Sequence, residues 1–458
     1  MSTPTGWGGE FLVNSTTLNT QYEYEPAITA LADGRFVVAW SDDSQTGGDT
    51  SGFAVRAQMF NADGSKAGAQ FLVNTTTTTF QGRPTITGLA DDRFVIAWTD
   101  YSQTGGDLST GAVRAQVFNA DGSKTGVEFL VNTTTINEQV DPTITALADG
   151  RFVVAWSNES QTGGDTPEWG VRAQMFNADG SKAGAEFLVN TTTTESQQQP
   201  IITALADGRF VVAWSDDSQT GGDTSGFAVH AQMFNADGSK AGAQFLVNTT
   251  TNNFQTWPAI TGLADDRFVI AWTDYSQTGG DLSTGAVRAQ VFNADGSKAG
   301  VEFLVNTTTT TFQGRPTITG LADGRFVVAW EDYSQTGSDT SGYAVRAQVF
   351  NADGSKIGAE FLVNTTTINE QVDPKIIALV DGRFVVSWAD FISGTGGYNP
   401  VSVVRARIFD PRTSAVDLVG TLDDDDLIGT IFNDSLSGFF GNDNLRGAAG
   451  HDRIFGED

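Results

Sequence analysis

The sequence has no cysteine and only two histidines, His230 and His451. Disulfide bridges and thiol chemistry are therefore excluded. Basic residues are scarce: 26 Lys and Arg stand against 55 Asp and Glu, for a formal net charge of −29. Such a surface repels nucleic acid and anionic lipid and favours divalent cations. No apolar run approaches the roughly 20 residues of a membrane helix, so no membrane span is expected. The opening MSTPTGWGG has neither the basic nor the apolar region of a classical signal peptide. Helical periodicity is missing throughout. What is abundant is glycine, with 52 residues, and phenylalanine, with 31, alongside many Val and Thr. That mixture favours strands and turns.

Those strands repeat. "RFVVAW" or a close variant places Trp40, Trp98, Trp156, Trp214, Trp272, Trp330 and Trp388 at a constant step of 58 residues. Pro26, Pro84, Pro142, Pro200, Pro258, Pro316 and Pro374 keep the same step, as do Arg56, Arg114, Arg172, His230, Arg288 and Arg346; Arg405 falls one residue late. Within one unit, "TITGLA", "RFVIAW", "AVRAQVF" and "VEFLVN" read as four short strands, with Asp-Gly at the tip of a hairpin in "NADGSK". A four-stranded sheet of this size buries too little surface to stand alone. The expected fold is all-β, a seven-bladed β-propeller over residues 1–415.

The seventh unit lacks its last strand: "DPRTSAVDLVG" stands where "NADGSK…EFLVN" belongs. The chain opens, however, with GEFLVN at residues 9–14. This N-terminal strand is expected to serve as the outer strand of blade seven and close the ring, which also removes exposed edges. "VDLVGT" at 416–421 is the rival for that place. A further period of 174 residues, or three blades, relates "GRFVVAWSDDSQTGGDTSGFAV" at Gly34 to its copy at Gly208. Sameness between blades therefore reflects copying as readily as function.

In such a sheet the short turns fall on one face and the long loops on the other, where binding usually resides. The long-loop rim carries Asp42, Asp43 and Asp49, and the matching Asp216, Asp217 and Asp223. It also carries aromatics: Tyr22, Tyr24, Phe80, Phe254, Trp257 and Phe312 between blades, and Tyr101, Trp169, Tyr275 and Tyr333 in the other loops. Carboxylates beside aromatic faces suit sugars, because rings stack on C–H groups while carboxylates accept from hydroxyls. Alternatively, "SQTGGD" is a turn whose Asp and Ser satisfy local N–H groups, and the aromatics fill gaps between blades. The tryptophans are expected in the core, and the repeated arginine is expected to stack on an aromatic or pair with a loop Asp.

From Gly420 the period drops to nine. Gly420, Gly429, Gly438, Gly447 and Gly456 keep it, as do Asp425, Asp434, Asp443 and Asp452, with Leu427, Leu436, Leu445 and Ile454. "GFFGNDNLR" and "GAAGHDRIF" are the best copies. This segment, 416–458, resembles the RTX nonapeptide, G-G-x-G-x-D-x-U-x. It departs from that pattern in lacking the second Gly throughout. The resemblance implies a short parallel β-roll binding Ca²⁺ through Asp425, Asp434, Asp443 and Asp452, with Asn433 and Asn442 just before two of them. The "FLVNTTT…P.ITALADGRFVVAW" repeats likewise resemble those of large secreted bacterial RTX proteins. That implies type I secretion, with folding in external calcium. The secretion signal would lie at the extreme C-terminus, so either it is missing here or the sequence is excised from a longer one.

The functional expectation is a secreted, calcium-binding, monomeric protein whose propeller binds glycans or cell-surface components in adhesion. Repeated weak sites gain by avidity. A calcium-folded spacer is the alternative, and a propeller hydrolase a further one. No catalytic residue can be named, and near-copies of one surface argue against a unique catalytic cluster.

Overall fold

The computed structural model describes residues 3–15, 23–49, 52–107, 109–160, 169–392, 401–420 and 426–456. Seven four-stranded antiparallel sheets follow one another along the chain, each at the 58-residue step. Blade one runs Glu23–Ala30, Phe36–Asp42, Ala54–Phe60 and Phe71–Leu72, in spatial order from the axis outward. Blade seven takes its outer strand from the other end of the chain. Thr5–Leu12 pairs antiparallel with Val401–Asp410, beyond Phe384–Ile392 and Gln371–Ala378. The strand begins earlier than the GEFLVN motif. Its rival, Asp417–Val419, pairs with Ser435–Ser437 and belongs to the tail.

Alternation along each second strand explains the packing. Both faces of a blade are covered by neighbouring blades, so Phe36–Asp42 and its six counterparts are buried along the repeated seven-residue core. All seven repeat tryptophans have 0% exposure. Trp98, with Phe94 and Ile96, packs against Val37, Ala39, Val55 and Ala57 of the preceding blade. The same contact closes the ring: Trp40, Phe36 and Val38 meet Val385, Val404, Ala406 and Ile408 of blade seven, joined by Val13.

Polar contacts repeat at the junctions. The Glu186 carboxylate accepts from Thr133 N at 2.6 Å and Thr134 Oγ1 at 2.8 Å, on the preceding blade. Glu10 of the first strand, in blade seven, accepts from Thr365 N and Thr366 Oγ1 of blade six, both at 2.8 Å. The first strand is thus held by the contact that joins every other pair of outer strands of this type. The repeated arginines are structural, as expected. Arg56 pairs with Asp42, Arg114 with Asp100 and Glu128, and Arg288 with Asp274 and Glu302.

The tail is a parallel coil. Asp417–Val419, Ser435–Ser437 and Arg453–Phe455 form one sheet, and Asp426–Ile428 with Asn444–Arg446 the other. Successive nine-residue units alternate between the sheets. Ile428 and Leu436 fill the thin core at 0% exposure. The coil rests on the short-turn side of the ring, where Arg412 donates to Gly429 O at 2.8 Å and to Asp381 O at 3.1 Å, and Arg446 pairs with Asp63. The long-loop face stays uncovered by it. Among the described residues no helix is long and apolar enough to cross a membrane.

Candidate functional site

Each innermost strand carries a bulge at the same place. In blade one Tyr24 pairs with Ser41 and Ala27 with Ala39, so Glu25 and Pro26 together oppose Trp40. Proline is tolerated there because the bulge breaks the ladder and the missing N–H has no partner to lose. The residue before it takes a left-handed conformation in all seven blades: Glu25, Arg83, Asp141, Gln199, Trp257, Arg315 and Asp373 have φ between 49° and 56°. For non-glycine residues this costs on the order of 1 kcal/mol each. The bulge N–H is anchored on the preceding blade. Arg83 N donates to Ser41 Oγ at 3.0 Å, Asp141 N to Thr99 Oγ1 at 3.2 Å and Arg315 N to Thr273 Oγ1 at 2.8 Å.

The strain aims seven side chains at one place. They line an open axial cavity of about 580 Å³. The prolines are the same in every blade, but the residues before them are not: Glu, Arg, Asp, Gln, Trp, Arg, Asp. Arg83 pairs with Asp141 at 2.5 Å and approaches Glu25 at 3.7 Å. Arg315 lies 4.7 Å over the Trp257 ring and reaches Asp373 at 3.4 Å and Glu331 at 3.6 Å. Burial pushes the Glu25 carboxyl up to about 7; Arg83 opposes the rise, and Asp373 and Asp141 add to it. Burial likewise raises Glu331 to about 7, with Asp373 reinforcing and Arg315 opposing.

Several rim carboxylates of the sequence reading are turned inward. Asp42, Asp49, Asp216 and Asp223 are each 1% exposed. Asp42 pairs with Arg56 and accepts from Ser44 N at 3.0 Å. Asp216 accepts from Ser218 N at 2.8 Å and from Trp214 Nε1 at 3.2 Å, and its pKa is lowered against the pull of burial by His230 and Ser218. Asp223 accepts from Ser225 N at 3.0 Å. The equivalent Asp107 and Asp281 show what the loop Asp does: each accepts from the outer-strand Asn, Asn132 or Asn306, at 2.7 and 2.8 Å. These groups cap turns and tie loops to strands, so they are not open ligand acceptors. Asp43 and Asp217 remain partly exposed.

The aromatics divide. Tyr24, Phe53, Phe80 and Tyr101 form a chain of ring contacts at 5.2–5.5 Å across blades one and two. Tyr275, Phe312, Tyr343 and Tyr333 form another at 4.8–6.1 Å. Trp257 and Tyr275 reach a pocket beside the axial mouth; Tyr101 sits away from them. Tyr22 lies outside the described residues.

In the tail, Asp434 is buried and bonded: its carboxylate accepts from Val416 N at 2.8 Å and from Thr430 N and Oγ1 at 2.5 and 2.9 Å. Asp452 accepts from Asp434 N at 2.9 Å, and Asn433 from His451 N at 2.8 Å. Asp443 and Asn442 belong to the alternate turn, and Asp425 lies outside the described residues. Among the described residues no three acidic or histidine side chains converge as a metal-binding group. Each file supplies one carboxylate per 18 residues, so an ion there would draw its other ligands from turn carbonyls.

Neither a protein-family model nor a curated protein matches the sequence. Among solved structures the chain is similar to a protein of unknown function from Dyadobacter fermentans: identity 13%, TM-score 0.48, covering 88% of this chain and 98% of that one. It is also similar to an α-L-arabinanase from Penicillium chrysogenum, with 12% identity, TM-score 0.47 and coverage of 89% and 98%. A third is the NanB sialidase of Streptococcus pneumoniae, at 11% identity, TM-score 0.47 and coverage of 88% and 70%. At these values the likeness assigns neither ligand nor reaction to this chain.

The sequence reading passed over Glu25, Arg83, Asp141, Gln199, Arg315, Asp373 and Glu331. The signal was present: in a chain of near-copies, the residue before each Pro takes five identities over seven blades, and Glu331 replaces a small residue.

Proposed function

We propose that this protein is a secreted, calcium-dependent binding module that takes a glycan or another cell-surface component at the axial mouth of its long-loop face. One observation carries the reading. Seven strained bulges hold seven side chains of five kinds in one cavity, in a ring whose scaffold is otherwise repeated. Backbone strain kept at every blade, with the side chain alone free to vary, is the arrangement expected of a recognition surface. Carboxylates, guanidinium groups and the Trp257 and Tyr275 rings offer acceptors, donors and stacking faces for hydroxyl-rich rings. Adhesion then needs one strong mouth per ring, in place of avidity from a repeated rim. Calcium and type I export rest on the nonapeptide resemblance. The period-nine parallel coil, with its two files of Asp, supports a calcium-ordered tail on the side away from the mouth.

The test is a glycan array probed with the whole chain, with calcium and with EGTA, and repeated with Trp257→Ala. Binding that Trp257→Ala weakens at least tenfold is the expected result. An array with no bound glycan, or binding indifferent to Trp257 and Arg315, sinks the assignment to the mouth.

A further inference from the structure

Beside the axial mouth, between blades five, six and seven, lies a side pocket of about 430 Å³. Its walls include Trp257, Tyr275, Tyr343, Arg315, Glu331 and Asp373. Glu331 has no counterpart in the ring. The residue following the repeat tryptophan is Ser41, Thr99, Ser157, Ser215, Thr273 or Ala389 in the other blades. Where it is Ser or Thr, its hydroxyl accepts the N–H of the next bulge. Glu331 Oε1 does the same for Asp373 N at 2.9 Å. A hydroxyl would have been sufficient for the fold. The carboxyl adds a second oxygen, Oε2, that no hydrogen-bond donor among the described residues reaches, on a side chain 3% exposed.

The charges around it do not balance. Arg315 serves both Glu331 and Asp373 while lying over Trp257, and Glu370 lines the same pocket. Lys375 adds a more distant positive charge. Burial with Asp373 nearby lifts Glu331 to about 7, so near neutrality a proton supplies the positive charge the site lacks. Glu25, across the mouth, is raised to about 7 as well. A cation brought by a ligand would replace that proton. Glu331, Glu370 and Asp373 line the pocket without forming, among the described residues, a group of three that could hold a metal ion, so a bare metal ion is poorly served. The remaining walls are aromatic faces, which receive a sugar ring or an organic cation.

We propose that this pocket binds an amino sugar carrying a free amine, with its ammonium group directed at Glu331 and Asp373 and its ring against Tyr275 and Tyr343. The proposal rests on the glycan reading above and names the ligand class of the same mouth. A neutral sugar would leave Oε2 facing an uncharged group, and an acidic sugar would add a fourth carboxylate to Glu331, Glu370 and Asp373. Acetylating the amine removes the charge and adds bulk where the carboxyls stand.

The experiment is isothermal titration calorimetry of the whole chain at pH 7 with a glucosamine tetramer and an N-acetylglucosamine tetramer. It is repeated with Glu331→Gln, which keeps an acceptor for Asp373 N, and with Glu331→Ser, the residue used by other blades. The expected result is at least tenfold tighter binding of the glucosamine tetramer, lost in both variants without any fall in their melting points. Equal or tighter binding of the acetylated tetramer overturns the charge selection and leaves the glycan reading standing. Glucosamine binding unchanged by Glu331→Ser removes the pocket from the proposal. Failure of both tetramers alongside an array on which other glycans bind overturns the amino-sugar class alone; an empty array overturns the glycan reading with it.

Discussion

Truncating Phe11 to alanine tests the closure of the ring at one side chain. Phe11 sits on the first strand, packed on Phe60 at 5.4 Å and Phe36 at 6.5 Å in blade one. Phe187 holds the equivalent place in blade three, 5.5 Å from Phe234 of blade four. Complete burial of a phenylalanine makes its truncation cost roughly 3–5 kcal/mol; both rings are half-buried, which reduces this to about 2 kcal/mol. For a domain of this size the unfolding entropy converts that into a fall of only about 2 °C, so urea unfolding followed by the buried tryptophans is the better measurement. Phe11→Ala and Phe187→Ala should cost the same within about 0.5 kcal/mol, because the same ring contact is made in both places, across the chain ends in one and within continuous chain in the other. Deleting Thr5–Leu12 should cost more than either, since it also exposes the edge of Val401–Asp410. A stable Phe11→Ala beside a destabilised Phe187→Ala would refute the closure, and with it the placement of the long loops on one face.

Three further outcomes are expected. Glu331 is raised from 4.5 to about 7 in the folded chain, so between those values the native state holds a proton that the unfolded state has released. Stability should therefore fall as pH rises from about 4.5 to 7, by up to about 3 kcal/mol, and Glu331→Gln should flatten that slope in urea titrations. Asp42→Ala should cost roughly 3–5 kcal/mol in urea unfolding by leaving Arg56 buried without its carboxylate partner. Calcium at millimolar concentration should protect residues after Gly420 from proteolysis, and EGTA should expose them; equal cleavage in both would remove calcium from the folding of the tail.

The aromatic and proline columns at one constant step carried the seven-bladed ring, because a propeller blade is a local unit whose strands pair with their neighbours in sequence. The missing last strand at Asp417 and the spare GEFLVN gave the closure for the same reason. The site was less legible. Asp42 and Asp216 read as open rim acids from composition, but each sits at the end of a second strand beside its Arg56 or His230 partner. Only pairing register shows that.

The sequence by itself determined the all-β class, the blade number and the period of the tail, all of which follow from side chains recurring at fixed spacing. The tertiary structure alone decided where function could sit. Glu25, Arg83, Asp141, Gln199, Trp257, Arg315 and Asp373 lie at steps of 58 residues in the chain, five kinds of residue before a constant proline. They become one cavity because a two-against-one bulge turns each toward the axis, and because ring closure brings the seventh beside the first.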